Sequence, residues 1–251
     1  LFAAGNSGVD KDKDGRIDAN SIGTPGTSKN ALTVGASENL LSSGGIQKKI
    51  GELKGSSDNW PMPPMTLSTM SDNINGLAMF SSRGPTADGR TKPDIVAPGT
   101  NNLSVRSQQP TAELLWGAYN ADYVFSGGTS MATPLTAGAA AVARQFLIEK
   151  MNQPQPTAAL LKAYLLNSAT ELFPGQYGEV GATHGQEILT LKPNNDEGYG
   201  RVDMANVVQK NTQALMIEDS KVGVGTTEVS ELTFKVAAAG HLQVNLVWTD
   251  A

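Results

Sequence analysis

Ten residues in the middle of the chain, Phe125 to Pro134, place two glycines and a pair of hydroxyl groups directly before a long apolar segment. That segment, Leu135 to Ile148, carries no charged residue except Arg144. The pattern predicts a strand or loop that turns sharply at the glycines and continues as a buried helix. Ser130 then lies in the first helical turn, where unpaired backbone N–H groups face outward. A serine there can attack a carbonyl carbon while a neighbouring N–H stabilises the developing negative charge; the alternative is a serine that only caps the helix.

The N-terminal stretch shows a second pattern of this kind. Leu1 to Ala4 is apolar and is followed by Gly5-Asn6-Ser7-Gly8, which predicts a buried strand that ends in a turn. Ligands of α/β proteins bind at the carboxyl ends of the strands. Asn6 is therefore either an ordinary turn residue, which the local sequence alone favours, or part of a site.

Taken together, the motifs resemble one known family. Gly-Thr-Ser-Met-Ala-Thr-Pro at 128–134 closely resembles the nucleophile motif of the subtilisin-like serine peptidases, the subtilases of peptidase family S8. Ala-Ala-Gly-Asn at 3–6 resembles the string that carries the family's oxyanion-binding asparagine. Phe-Ser-Ser-Arg-Gly-Pro at 80–85 and Lys-Pro-Asp-Ile-Val-Ala-Pro-Gly at 92–99 match further subtilase segments in the family's order. The combination is far more specific than any single motif.

The resemblance implies a role for several residues. Ser130 is the expected nucleophile, and Asn6 is the expected oxyanion donor. Asp94 is expected to belong to the scaffold, because the acid of the family's triad precedes its histidine. The residues that the resemblance places at the substrate are Ala3, Ala4, Gly5, Gly128 and Thr129.

The implied fold class is α/β, a partial subtilisin-like three-layer parallel sheet with helices. Residues 1–212 would form the C-terminal part of the peptidase domain, closest to bacterial alkaline subtilases, with a long loop or insertion at about 41–75. The helix after Ser130 is expected to be buried on every side up to about Lys150. Residues 213–251 would begin a C-terminal β-sandwich or barrel domain, because apolar residues alternate with polar ones from Glu228 onward.

An acidic loop follows Asn6. Carboxylates at alternate positions and a glycine at the sixth place reproduce the first part of a calcium loop of the EF-hand type, although Ser21 stands at the twelfth place, where an acidic ligand is expected. The sequence predicts a structural calcium ion; the alternative is a solvated acidic loop. The candidate ligands are Asp10, Asp12, Asp14, the carbonyl of Arg16, and Asp18.

The chain contains two histidines, and neither fits the catalytic base. His184 and His241 both follow Ser130, whereas subtilisin has the order Asp, His, Ser. We therefore expect the triad Asp and His to lie upstream of Leu1, so that this fragment alone hydrolyses peptides negligibly while the intact protein is an endopeptidase that works through an acyl-enzyme. The alternative is a calcium-stabilised binding or adhesion module on an inactive peptidase scaffold.

Composition limits the partners. The formal net charge is −5 without any basic run, which argues against nucleic acid, and no apolar run reaches membrane-spanning length. The absence of cysteine excludes disulfides and thiolate chemistry. The expected partners are protein or peptide substrates, and self-association through open β edges or through the missing N-terminal half is a further expectation. The resemblance implies a secreted or cell-envelope location.

Overall fold

Three short parallel strands form the sheet on which the rest of the chain is built. The computed structural model describes residues 1–182, 185–209, 217, 219, 223–233, 235 and 242–249. Its strands are β1 (Phe2–Ala3), β2 (Thr33–Ser37), β3 (Ile95–Pro98), β4 (Asn102–Val105) and β5 (Tyr123–Ser126). Its α-helices are α1 (Ser56–Asn59), α2 (Thr129–Lys150), α3 (Ala158–Ser168) and α4 (Met204–Gln209). The parallel sheet has the order β1-β2-β3, so the carboxyl ends of all three strands lie at the same edge.

Helix α2 packs across the parallel sheet and confirms the helix predicted from Ser130 to about Lys150. Its inner face buries Ala132, Ala143 and Leu147 completely. The prediction that it is buried on every side is wrong, because Leu135 and Val142 on the outer face are 48% and 45% exposed. Alanine and glycine fit a buried or an exposed helical surface equally well, so composition alone could not distinguish the two.

Helix α3 begins at a side-chain cap and closes the core behind α2. The hydroxyl of Thr157 accepts a hydrogen bond from the Leu160 N–H at 3.0 Å, which satisfies one of the unpaired donors at the helix start. The ring of Tyr164 stacks on Phe146 of α2 with a centroid distance of 6.5 Å. The Tyr164 hydroxyl donates to the Val207 carbonyl at 2.7 Å, which ties α4 to the same core.

The stretch predicted as a long loop at 41–75 contains short helical turns and packs on the main body. Helix α1 lies between two 3-10 turns, Ile50–Glu52 and Met65–Leu67. Met65 and Met70 are each 2% exposed and pack on the body of the protein, whereas Met62 is 37% exposed. Regular structure was not expected here because turns of three or four residues carry no detectable period.

A buried ion cluster joins the starts of β2 and β3. The carboxylate of Asp94 contacts Lys92 Nζ at 2.6 Å and Lys162 Nζ at 2.8 Å. It also accepts the Thr33 N–H at 2.6 Å. The Asp94 carboxylate thus joins β2, β3 and α3 through these three contacts. Its predicted role in the scaffold is confirmed.

Strands β4 and β5 form an antiparallel hairpin that runs directly into α2. Asn102 lies opposite Ser126 and Val105 lies opposite Tyr123. The hairpin therefore delivers the chain from the end of the parallel sheet to the first turn of α2.

The strands predicted near the C-terminus are not seen where the structure describes this region. Residues 223–233 and 242–249 contain no strand, and Val229 and Trp248 are 81% and 67% exposed. A pair of strands alone is marginal in water, and the segment is held instead by Val247, which packs against the core, and by Asn245, whose side chain accepts a hydrogen bond from Asn167 at 2.8 Å. The C-terminal β-domain and the boundary at 212 stay predictions. None of the helices in the described ranges is both long and apolar enough to cross a membrane.

Candidate active site

The turn after β1 meets the start of α2 through Asn6. The Asn6 Oδ1 atom accepts the Thr129 N–H at 2.9 Å and the Thr129 hydroxyl at 3.0 Å. The Thr129 hydroxyl in turn accepts the Gly5 N–H at 3.2 Å. The first N–H of α2 thus receives its acceptor from a distant strand instead of from the residue before the helix. Asn6 and Ser130, predicted from two separate motifs, are brought to the same place.

Two donors converge on the position that a side chain of Gly128 would occupy. A Cβ atom at Gly128 would lie 3.1 Å from Asn6 Nδ2 and 3.7 Å from the Ser130 backbone nitrogen. Gly128 is buried and has φ = +137°, a conformation that side chains strongly disfavour, so this position favours glycine. Both Asn6 and Ser130 are exposed to solvent. An oxygen atom at this position would meet an amide N–H and a helix N–H together.

Ser82 fixes the asparagine turn from its other side. Its backbone N–H donates to the Gly5 carbonyl at 2.9 Å, and its hydroxyl accepts the Ser7 N–H at 3.1 Å. Ser82 is fully buried. The two residues that flank Asn6 are therefore held by one side chain and its backbone. The sequence did not indicate that Ser82 positions the Asn6 turn. The order of the motifs was the one signal that residues 80–85 lie near the site.

The five residues expected at the substrate differ in their access to it. Gly128, Ala4 and Thr129 are all buried, Ala4 and Thr129 at 0% and 1% exposure. The Ala4 N–H and carbonyl are already paired with Val34 and Gly23. Ala3 and Gly5 are half-buried. The contact of all five residues with a substrate stays a prediction.

The positions of the two histidines relative to the site are not defined. His184 and His241 lie outside the described residues. Neither precedes Ser130 in the chain. The part of the chain that the structure describes therefore contains the expected nucleophile and the amide donor without a histidine base.

The acidic loop brings three of its carboxylates together. One oxygen each from Asp10, Asp12 and Asp14 lies within 4.8 Å of the others. Asp10 is fully buried, and burial raises the pKa of its carboxyl, as do the charges of Asp14 and Asp12, against the hydrogen bonds donated by the Gly15 and Asp14 N–H groups. Such a group of hard oxygen ligands fits a calcium ion.

The last two candidate ligands behave differently. Asp18 is not part of the cluster, and its carboxylate accepts the Lys11 N–H at 3.1 Å. The Arg16 side chain contacts Asp14 with Nη2 at 2.5 Å, so the guanidinium already offsets part of the negative charge. A cation in this loop would therefore rest mainly on Asp10 and Asp12, with Asp14 shared.

Two neighbouring carboxyl groups beyond the end of β2, of which Glu38 is buried and Glu187 half-buried, carry no signal in the sequence. Burial raises the pKa of Glu38 to about 9, although the Gln176 amide donates to it at 2.6 Å. Burial also raises the pKa of Glu187 to about 7, against the charge of Arg83. Glu187 accepts the Leu77 and Gln176 N–H groups at 3.0 Å each. These contacts join three loops and leave no free group that faces the donors at Gly128.

Comparison with known proteins identifies the family of the chain. The sequence profile of the Subtilase family matches residues 1–200. Serine protease AprX of Bacillus subtilis is 37% identical over 145 residues, which cover 57% of this chain and 25% of AprX. Pyrolysin of Pyrococcus furiosus is 32% identical over 200 residues, which cover 75% of this chain and 12% of pyrolysin. The chain thus spans a quarter or less of the length of these relatives.

Among solved structures, the CspB protease of Clostridium perfringens superposes with a TM-score of 0.44 and 24% identity over 76% of this chain and 28% of that protein. The family assignment rests on the sequence profile, which covers most of the chain and includes both strings that meet at Gly128. The chain belongs to the Subtilase family.

Proposed function

We propose that this chain supplies the nucleophile and the oxyanion site of a serine endopeptidase. The observation that carries the proposal is the pair of donors, Asn6 Nδ2 and the Ser130 N–H, which lie 3.1 Å and 3.7 Å from the position of a Cβ atom at Gly128. The Ser130 hydroxyl attacks the carbonyl carbon of a peptide bond, and the carbonyl oxygen becomes negative as the tetrahedral intermediate forms. Preorganised donors at that oxygen lower the barrier because they need no reorientation during the reaction.

The proton of the Ser130 hydroxyl must be taken by a base and returned to the leaving amine. Family membership supports a histidine in this role, oriented by an aspartate, and the family order places both before the serine. No histidine precedes Ser130 in this chain. We therefore infer that residues outside this chain supply the base and the acid, and that the chain alone hydrolyses peptides negligibly.

A fluorophosphonate probe tests both statements, because it reacts with an activated serine. The intact protein should be labelled rapidly at Ser130, and this chain alone should be labelled slowly if at all. Ser130→Ala should abolish the labelling, while Ser107→Ala, in the β4–β5 connection, should leave it unchanged. Rapid stoichiometric labelling of the isolated chain would disprove its inactivity. Failure to label the intact protein would favour the alternative of a binding or adhesion module on an inactive scaffold.

The acidic loop is proposed as a structural calcium site. Asp10, Asp12 and Asp14 offer three carboxylate oxygens, and the Arg16 carbonyl and Asp18 remain candidates for the outer positions. The loop directly follows the Asn6 turn, so an ion there would stiffen the backbone that carries the amide donor. Calcium itself would only neutralise and order these groups.

Two further proposals concern the setting of the protein. Family membership supports protein or peptide substrates and a secreted or cell-envelope location. Self-association is proposed for edges that the described residues leave unpaired, among them β1, whose Phe2 side chain is 44% exposed. Size-exclusion chromatography of the chain across a tenfold concentration range tests the last statement, since a monomer at every concentration contradicts it.

A further inference from the structure

The indole ring of Trp116 lies against the backbone of Gly127, shortly before Ser130. A Cβ atom built at Gly127 would be 1.9 Å from Trp116 Cη2, 2.2 Å from its Cζ3 and 2.5 Å from its Cζ2. Contacts this short do not occur in a packed protein, so the indole and a side chain at position 127 exclude each other. The six-membered ring of Trp116 therefore touches the Gly127 backbone directly.

The backbone conformation of Gly127 does not by itself require glycine. Its φ lies outside the left-handed region, whereas the φ of the next residue, Gly128, is +137°. The three atoms nearest to the Cβ position at Gly127 all belong to Trp116. The indole is therefore the feature of the structure that accounts for glycine at position 127.

A strained turn directs Trp116 inward. The Gly117 N–H donates to the Leu114 carbonyl at 2.7 Å, and within this turn Leu115 has φ = +45°, which residues with a side chain rarely adopt. Leu114 and Leu115 are exposed, whereas Trp116 is half-buried and packs on the core. Such strain persists only where the surrounding contacts hold it. Here the Trp116 N–H donates to the Phe125 carbonyl at 3.0 Å, and the Phe125 N–H donates to the Gly117 carbonyl at 2.9 Å.

Trp116 also meets the segment that holds the Asn6 turn. The ring of Phe80 contacts the indole edge to face with a centroid distance of 6.2 Å. The Phe80 carbonyl accepts the Gly8 N–H at 2.9 Å, and Ser82 holds the residues on both sides of Asn6. The indole thus links the support of the Asn6 turn to the backbone that leads into α2.

The contact lies where it can affect the geometry of the proposed active site. Strand β5 ends at Ser126, and the Gly128 N–H is anchored to a carbonyl just after β3 at 2.7 Å. Gly127 is the link between these two points. A displacement of Gly127 is therefore transmitted to Gly128, the residue on which Asn6 Nδ2 and the Ser130 N–H converge.

We propose that Trp116 is a positioning residue of the active site: its indole holds Gly127 in place and so fixes the first turn of α2 relative to the Asn6 amide. The inference rests on the proposed peptidase function, which gives Ser130 and Asn6 their roles. The alternative is an indole that only fills the core. Loss of core packing lowers stability, whereas loss of positioning also lowers kcat.

Steady-state kinetics of the intact protein on a peptide substrate distinguish the two roles. Trp116→Ala should lower kcat about tenfold to a hundredfold with KM unchanged, because the reacting groups are displaced while the contacts to the substrate are retained. Trp116→Phe keeps an aromatic ring and should recover most of the loss. Phe146→Ala is the matched control, because that ring is also half-buried and packs on the core, but near the far end of α2. Equal losses of kcat in the two alanine variants, or a change confined to KM, would overturn the proposal.

A double-mutant cycle tests the contact itself. Gly127→Ala places a methyl group where the indole lies and should lower kcat at least as much as Trp116→Ala does. In the Trp116→Ala background the same methyl group meets no ring, so Gly127→Ala should lower kcat by no more than about threefold. If Gly127→Ala has the same effect in both backgrounds, the ring does not restrict this position and the proposal is wrong.

Nuclear magnetic resonance of the isotope-labelled chain provides a readout that needs no catalysis. The ring current of the indole should shift the Hα resonances of Gly127. Trp116→Ala should remove this shift and move the amide resonances of Thr129 and Ser130, whereas Phe146→Ala should leave all of them in place. Circular dichroism checks that each variant folds.

The two proposals fail in different ways. If the Thr129 and Ser130 amides do not respond to Trp116→Ala, the positioning role is wrong even where the fluorophosphonate probe labels Ser130 in the intact protein. If these amides respond as expected and the intact parent is not labelled, the contact with Gly127 is supported and the peptidase function is the part that fails.

Discussion

The side-chain oxygen of Asn6 accepts both hydrogen bonds that Thr129 can donate, from its N–H at 2.9 Å and from its hydroxyl at 3.0 Å. An amide side chain that uses its oxygen in this way must present its NH2 group on the opposite side. Thr129 therefore decides which end of Asn6 faces Gly128. Thr129 thus orients the amide group that we propose as the oxyanion donor.

Thr129→Val should lower the catalytic rate of the intact protein about tenfold to a hundredfold with little change in KM. The valine keeps the backbone N–H bond but loses the hydroxyl, which frees Asn6 to rotate and weakens stabilisation of the transition state. Steady-state kinetics on a peptide substrate measure the effect. Thr136→Val is the matched control. The buried Thr136 hydroxyl lies further along α2 and donates to the Ala132 carbonyl, so its loss does not affect Asn6. Equal losses in both variants would mean that packing, not the Asn6 contact, is responsible.

Ser82→Ala should reduce kcat about threefold to tenfold, because the Ser7 N–H loses its acceptor and the Asn6 turn becomes less well fixed. Ser81→Ala provides the comparison. Ser81 is equally buried and accepts one backbone N–H, that of Ala36 at 2.9 Å, but it holds β2 instead of the turn. Both variants should lose about 1 to 2 kcal/mol of unfolding free energy. Only Ser82→Ala should also change kcat, and a similar kcat for the two variants would contradict the positioning role.

Removal of calcium with a chelator should lower the melting temperature of the chain. An ion present at a hundred times its Kd adds about 2.7 kcal/mol, which corresponds to about 5 to 10 °C for a chain of this size. Asp12→Asn should abolish the difference between calcium and chelator, since it removes an exposed ligand without disturbing the buried Asp10. Asp88→Asn, in the turn before β3, should keep the difference. A chelator that has no effect on the parent chain would exclude the calcium site.

The stability of the chain should fall as the pH rises from about 4.5 to 9, and Glu38 should account for much of the slope. Burial raises the pKa of Glu38 from 4.5 to about 9 in the folded state. In this window the folded state holds a proton that the unfolded state has released, so a rise in pH favours unfolding. Glu187, whose pKa is raised to about 7, acts in the same direction. Urea unfolding at pH 5, 7 and 9 measures the slope.

Glu38→Gln should flatten this dependence, because glutamine stays neutral at every pH and retains an oxygen for the N–H groups of the neighbouring loop. Glu52→Gln, which changes an exposed side chain, should leave the slope unchanged. If Glu38→Gln unfolds with the parent's pH dependence, the carboxyl is ionised in the native protein and the raised pKa is wrong.

The sequence predicted the meeting of Asn6 and Ser130 because each lies at a point that the topology fixes. One follows the carboxyl end of a parallel strand, and the other opens the helix that packs on that sheet. Local patterns therefore sufficed to place both residues at one edge of the fold. The catalytic roles of the two residues stay predictions.

Ser82 and Glu38 could not be predicted in the same way. Their partners are backbone groups or side chains of segments that are distant in sequence, Ser7 for one and Gln176 for the other. Such contacts leave no period and no spacing in the sequence. The exposed outer face of α2 was not predicted for a related reason, because small residues are compatible with both a buried and an exposed helix surface.

The bond between Asn6 and Thr129 joins residues 123 positions apart. Helix α2 can form through hydrogen bonds between residues only four positions apart. The Asn6–Thr129 bond, in contrast, closes about half of the chain into one loop and requires that β1, β2 and β3 pair in register first. Contacts of such long range form late during refolding. After dilution from denaturant, recovery of the contact between Asn6 and Thr129 should therefore lag behind recovery of the helical signal, so that partly refolded molecules hold Ser130 in its helix before Asn6 reaches it.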